Sequence, residues 1–178
     1  MKCKILLLAL VVGAVSCGGD AKTELFNGRD LTGWVCVTAG GPAAAEVFTV
    51  QDGCIRVAGQ PFGFLRTAEQ YGDYRLHAEW RWIGKPSNSG LFQRIQEGDE
   101  LWPSLIECQL ESGNAGDLLG LGGATMAGVE SPEGGVPVKK RVGGASEKPA
   151  GEWNEAEVIC KGDRITVCLL YTSDAADD

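Results

Sequence analysis

Histidine is nearly absent from this chain: His77 is the only one in 178 residues. A zinc site built from several histidines is thereby excluded. Helical periodicity is missing as well. No long stretch repeats its apolar residues every 3.6 positions, so a helical architecture is not legible. Gly120-Leu121-Gly122-Gly123 has no helix pattern after it, which makes it a loop and not a dinucleotide fingerprint. Basic residues are the minority, 16 Lys and Arg against 24 Asp and Glu, for a formal net charge of −8. With no basic stripe, nucleic acid is excluded as a partner. The apolar run at residues 5–15 falls short of the ~20 residues that a mature spanning helix needs.

Glycine, by contrast, is abundant at 26 residues, and turn-like dipeptides separate short β-rich runs. This pattern predicts a single all-β domain, a sandwich or barrel. Residues 48–57 read as a strand, an Asp52-Gly53 turn and a second strand. Residues 63–67 read as a short strand. The clearest strand is 74–82, where Tyr74, Leu76, Ala78, Trp80 and Trp82 face one way and Arg75, His77, Glu79 and Arg81 the other. Further strands are predicted at 90–96, 105–111, 117–121, 136–142 and 154–161. A Lys161-Gly162-Asp163 turn leads into a last strand ending at Val167. Four cysteines, Cys36, Cys54, Cys108 and Cys160, fall within this domain at no metal-ligand spacing. Cys108 and Cys160 sit on apolar strand faces and read as buried thiols. Cys36 and Cys54 stay open between free thiols and a bridge.

The ends read differently. Lys2 and Lys4 before the apolar run fit the start and h-region of an export signal. Ala14-Val15-Ser16-Cys17 resembles a bacterial lipobox, in which Cys17 is diacylated and becomes the new N-terminus; ordinary signal cleavage nearby is the alternative. The expected organisation is a signal at 1–16, a tether at 17–22 and the domain at 23–167. The membrane is then reached only through the lipid on Cys17, on the periplasmic or outer side. Residues 168–178 fit no strand pattern. They resemble the translation of a sequencing adapter read through at the end of a DNA fragment. The sandwich is therefore expected to be incomplete at its C-terminal end, with the natural chain continuing past Val167.

The strand 105–111 carries the chemistry. Alternation puts Glu107, Gln109 and Glu111 on one face and Ile106, Cys108 and Leu110 on the other. An apolar back with a carboxylate, an amide and a carboxylate in front looks like the floor of a sugar-binding cleft. Glu107 is the candidate base, because burial and a neighbouring like charge raise a carboxyl's pKa. Gln109 both donates and accepts, which suits sugar hydroxyls. Arg94 shares a strand face with Phe92 and Gln96; its guanidinium reads either as stabilising an enolate or a hydroxyl cluster or as a surface group paired to a carboxylate. Trp102, in the loop just before this strand, is the best-placed tryptophan to stack on a sugar; Trp80, Trp82 and Trp153 read as core. Glu111, Asn88 and His77 complete the candidate substrate-binding set. Each has a plainer reading too: Asn88 as a turn-fixing side chain, Glu111 and His77 as solvated strand residues.

Four motifs stand in a set order: Leu25-Phe26-Asn27-Gly28-Arg29-Asp30-Leu31-Thr32-Gly33-Trp34, then Asn88-Ser89-Gly90, Glu107-Cys108-Gln109, and Gly151-Glu152-Trp153-Asn154. In this order they resemble the 3-keto-disaccharide hydrolase family. The resemblance implies a concanavalin-like antiparallel β-sandwich, or jelly roll. It also implies a carbohydrate substrate whose sugar is already a ketone at carbon 3. Such a ketone acidifies the hydrogen on carbon 2, so a base can open the way to elimination and then hydration. On that reading Glu107 is the base, and Gln109 and Arg94 orient the substrate or hold the enolate. A divalent metal acting as a Lewis acid is compatible with this chemistry, although no complete ligand set is legible. Two other readings stay open. Glu107-Cys108-Gln109-Leu110-Glu111 has the E-x-D-x-E skeleton of a retaining β-glucanase with Gln at the centre. A non-catalytic carbohydrate-binding module needs only the sandwich and aromatic platforms.

Overall fold

The computed structural model describes residues 5–13 (as backbone), 22–39, 41, 46–98, 100–144 and 146–170. Cys17 and the segment 171–178 lie outside the described residues. The chain begins with β1 (Ile5–Gly13), β2 (Lys22–Thr23), β3 (Trp34–Thr38), β4 (Phe48–Gln51) and β5 (Cys54–Val57). Then come β6 (Gly63–Thr67), β7 (Tyr74–Ile83), β8 (Gly90–Gln93) and β9 (Leu105–Gln109). It closes with β10 (Leu118–Leu121), β11 (Val138–Lys139), β12 (Asn154–Lys161) and β13 (Arg164–Leu170). Among the described residues there is no α-helix.

Every strand pairing is antiparallel. The large sheet runs β13-β12-β7-β1-β5-β4, with β2 on β1; a second sheet runs β11-β10-β9-β8; β3 and β6 form a pair. This is the β-sandwich that the alternation predicts. The faces that meet are the apolar ones. Leu76, Ala78, Trp80 and Trp82 of β7, with Ala156, Val158 and Cys160 of β12, pack in one core cluster with Leu91, Cys108 and Leu110 of the second sheet. Trp80 is almost fully enclosed, and cutting such a side chain to Ala costs about 3–5 kcal/mol. One polar link crosses this core. Gln93, buried on β8, accepts the Tyr74 hydroxyl at 2.6 Å and faces the Cys160 Sγ at 3.8 Å. A buried amide is tolerated only when bonded, so this contact ties β8 to β7 and β12.

Several boundaries differ from the sequence reading. β8 ends at Gln93, not at 96, because Arg94 adopts a left-handed backbone with φ 56°. The alternation that placed Arg94 with Phe92 and Gln96 therefore stops before Arg94. β13 runs past Val167 to Leu170, in register with Glu155, and Leu169 packs against the core. β3 falls outside the predicted strands; its five residues are all half-buried, so no alternation of faces marks it. Cys36 and Cys54 are free thiols, and so are the buried Cys108 and Cys160. The apolar run read as a signal h-region lies, over residues 5–13, as a strand between β7 and β5.

The opening motif has a structural cause. Asn27 Oδ1 accepts the Arg29 and Asp30 amides at 2.8 and 3.0 Å, and Asp30 Oδ1 accepts Asn27 Nδ2 and the Thr32 amide at 2.8 and 2.9 Å. These donors, the Asn27 amide first, hold the Asp30 carboxyl down at about 2. Trp34 Nε1 then donates to the Leu25 carbonyl at 3.0 Å. The motif is a self-bonded turn that delivers the chain into β3.

Candidate active site

Glu107 stands in the middle of β9, flanked in register by Phe92 of β8 and Leu119 of β10. Its neighbours along the strand go elsewhere: Cys108 faces the core with Leu91 and Leu110. Glu107 and Gln109 instead line a cleft of about 1460 Å³, together with Asn88, Ser89, Phe92 and Trp102. The Glu107 side chain is only 8% exposed. Room for it comes from Gly90, where an added Cβ would overlap Glu107 Oε1.

The electrostatics of this carboxyl follow from its seat. Burial strips its hydration, and the Glu111 charge adds repulsion, so its pKa is pushed up from 4.5 to about 7. Among the described residues no hydrogen bond and no cation is directed at it. A buried carboxyl with neither is costly to keep for packing alone, and clefts are where such groups serve as acids and bases. Glu111 accepts Asn114 Nδ2 at 2.8 Å and acts on Glu107 through its charge. Gln109 is buried, and its Oε1 accepts the Leu110 and Glu111 amides, each at 2.9 Å. That locks the amide and leaves its NH2 end as the donor. Backbone bonds continue the pairing past β8, from the Leu110 and Ser112 amides to the Ser89 and Ser87 carbonyls. They hold Asn88 and Ser89 along the cleft edge.

Not every candidate from the sequence joins this group. Arg94 borders the cleft, but its guanidinium donates to the Gly72 and Gly162 carbonyls at 2.7 and 3.0 Å and lies 3.5 Å from Asp73. It braces two turns. His77 lies on the outer face of β7, opposite the core side of Leu76 and Ala78, with Nε2 at 3.3 Å from Glu79 Oε1 and Glu157 beside it in register. Glu111 is not among the cleft-lining residues. Trp102 is where the sequence places it, 43% exposed at the cleft rim. Sequence reasoning missed its partners. Phe62 stands 6.5 Å from the Trp102 ring, Phe92 stands 6.1 Å from it, and Phe64 packs on Phe92 at 5.6 Å. Of these, Phe92 is the register partner of Glu107, whereas Phe62 lies in a loop with no periodicity to mark it. Among the described residues no group of three or more His, Cys, Asp or Glu is placed to hold a metal, so no step is assigned to one.

A family described as the 3-keto-alpha-glucoside-1,2-lyase-like domain matches residues 21–169. A solved structure of a candidate glycosyl hydrolase from Parabacteroides distasonis is similar at 25% identity and a TM-score of 0.55. The similarity covers 83% of this chain and 68% of that one. No curated protein matches.

Proposed function

Since this chain belongs to the 3-keto-alpha-glucoside-1,2-lyase-like family, we propose that it cleaves glycosidic bonds of sugars already oxidised to a ketone at carbon 3, with Glu107 as the base. Family and structural neighbour support glycoside cleavage in general. The observation that carries it is the Glu107 carboxyl, enclosed and, among the described residues, without a hydrogen bond or a cation, so that burial pushes its pKa up to about 7. A group of that pKa is half ionised near neutrality and still basic enough to take a proton.

The chemistry follows from the ketone. Glu107 removes the carbon-2 proton, and the C–H electrons form an enolate on the carbon-3 oxygen. The Gln109 NH2 is the donor available to that developing charge. Collapse of the enolate makes a carbon-1 to carbon-2 double bond and expels the aglycone oxygen from carbon 1. The protonated Glu107 returns its proton to the departing oxygen. Water then adds at carbon 1 and a proton at carbon 2, so the net change is hydrolysis. The retaining β-glucanase reading needs two carboxyls about 5–5.5 Å apart in one cleft. Glu111 is held by Asn114 and does not line the cleft, which disfavours it. Turnover of a 3-keto-glucoside with no turnover of the unoxidised glucoside is the test. Cleavage of both at similar rates would overturn the proposal.

A further inference from the structure

The alternation of β6 carries a cation into the cleft. Leu65 packs against the core cluster, so Phe64 and Arg66 share the opposite face of the strand. On that face Phe64 meets Phe92 at 5.6 Å, and Phe92 is the register partner of Glu107. Glu107, Phe92, Phe64 and Arg66 thus follow one another across the cleft, and all of them line it. Arg66 is half-buried. Among the described residues its side chain makes no hydrogen bond, ion pair or ring contact. Arg94, by contrast, is held by two carbonyls and lies beside Asp73. A guanidinium has five N–H donors and no acceptor. One that is partly stripped of water and unpaired gains from any oxygen brought to it. Two carboxylates line the same cleft: Glu69 accepts the Tyr71 hydroxyl at 3.1 Å, and Glu97 accepts Gln70 Nε2 at 3.3 Å.

We propose that Arg66, and not Arg94, is the guanidinium that the cleft offers to its ligand, and that it binds a neutral oxygen acceptor on the aglycone. The assignment to the aglycone rests on the reaction proposed above. That reaction seats the reacting sugar at Glu107 and Gln109. Two aromatic rings stand between Glu107 and Arg66, and the two charges form no ion pair. Arg66 therefore meets the part of the glycoside remote from carbon 2. Its partner is an acceptor, since the guanidinium only donates. Its partner is also neutral, since Glu69 and Glu97 on the same cleft would repel an anion. A hydroxyl oxygen meets both conditions, whether a second sugar or a phenol supplies it. An alkyl or plain phenyl aglycone has no oxygen beyond the glycosidic one and leaves Arg66 unanswered.

Binding is measured first, apart from any chemistry. Methyl, phenyl and para-hydroxyphenyl glucosides and a glucosyl-glucose disaccharide, each as α and β anomers, are titrated calorimetrically. They are titrated against the whole chain and its Arg66→Met and Arg66→Lys variants. Met keeps the unbranched stem and removes the donors; Lys keeps the charge and loses the fork. Arg66 has no bond to lose, so coinciding melting curves are expected. Arg66→Met is expected to weaken the disaccharide or the hydroxyphenyl glucoside roughly tenfold, and the methyl and phenyl glucosides by less than about twofold. Whichever hydroxylated ligand responds names the source of the oxygen, sugar or phenol. Arg66→Lys is expected to recover part of the loss. With the 3-keto forms the same loss is expected in KM, while kcat holds. An equal loss on all the ligands overturns the proposal, and so does no loss on any, or a parent that binds none of them. A fall in kcat with KM unchanged overturns the remote placement. A para-carboxyphenyl glucoside that outbinds the hydroxyphenyl one through Arg66 overturns the neutral partner. A selective loss without turnover of any 3-keto-glycoside leaves the Arg66 contact standing and removes the reaction. Turnover with parental KM in Arg66→Met does the reverse.

Discussion

Gly90 and Glu107 contend for one volume: a Cβ on Gly90 would overlap Glu107 Oε1 and come within 2.6 Å of Cγ and Cδ. The two are not register partners, since Gly90 pairs with Gln109 and Glu107 with Phe92. The Glu107 side chain therefore leans along the sheet and lies flat over bare backbone. Gly90 serves here by having no side chain, and its φ is an ordinary one. The third residue of the Asn88-Ser89-Gly90 motif is thus part of the seat of the base.

Gly90→Ala keeps the carboxylate and evicts it. Gly weakens strands, so Ala costs β8 nothing in propensity, and the melting point should move by only a few degrees. The rate on a 3-keto-glucoside should fall by about 10²-fold, the usual cost of a ~1 Å misplacement. The apparent pKa of the rate should drop back from about 7 toward 4.5 as the carboxylate swings into water. A pH–rate profile identical to the parent's would show that Glu107 does not depend on this gap.

The raised pKa of Glu107 has opposite signs for activity and stability. As a base it must be ionised, so kcat/KM should climb with pH and level off above about 7. Between about 4.5 and 7 the folded chain keeps a proton that the unfolded chain has lost. Stability therefore falls as pH rises through that window. At 1.36 kcal/mol per unit the whole swing is about 3 kcal/mol. Glu107→Gln removes it. The variant should match the parent below about pH 4.5 and exceed it in urea midpoint above about pH 7. A gain that is the same at both ends would contradict a shift caused by burial.

The legible parts of this molecule are those that period-two alternation controls. Cys108 and Leu110 in the core and Glu107 and Gln109 in the cleft follow from one strand read two residues at a time. Alternation says which face, but not what the face meets. Alternation sets His77 opposite Leu76, yet that side is the outside of the large sheet and not the cleft. Arg94 leaves the alternation because its backbone is left-handed, and its guanidinium meets Gly72, Asp73 and Gly162, which are distant in sequence. Phe62 sits in a loop, where no periodicity exists to mark it. The role of Gly90 depends on the register of β8 against β9, which no local pattern encodes.

The lipobox reading and β1 cannot both describe one mature chain. Cleavage before Cys17 removes residues 5–13, leaving β7 and β5 each with an unpaired edge on the same slot. Exposed edges invite pairing with other chains. A chain that starts at Cys17 should therefore unfold at lower urea and self-associate more than one that keeps β1. Equal midpoints and equal light scattering would show that β1 adds nothing. Separately, Cys17→Ala should move the protein from the membrane fraction to the soluble one. If both partition alike, no lipid is attached at Cys17.

Glu107→Gln also tests the reaction itself. The amide keeps the size of the side chain and its place over Gly90, but it cannot accept the carbon-2 proton. General-base contributions run to roughly 10²–10⁴-fold, and kcat on a 3-keto-glucoside should fall by that order. Gln109→Ala should cost less and act partly on KM, since it holds hydroxyls or the enolate and takes no proton. In heavy water the parent should place deuterium at carbon 2 of the product, because elimination and rehydration both pass through that carbon. Direct displacement at carbon 1 would leave carbon 2 untouched. Product without carbon-2 deuterium, or a Glu107→Gln variant at full rate, would remove Glu107 from the role of base.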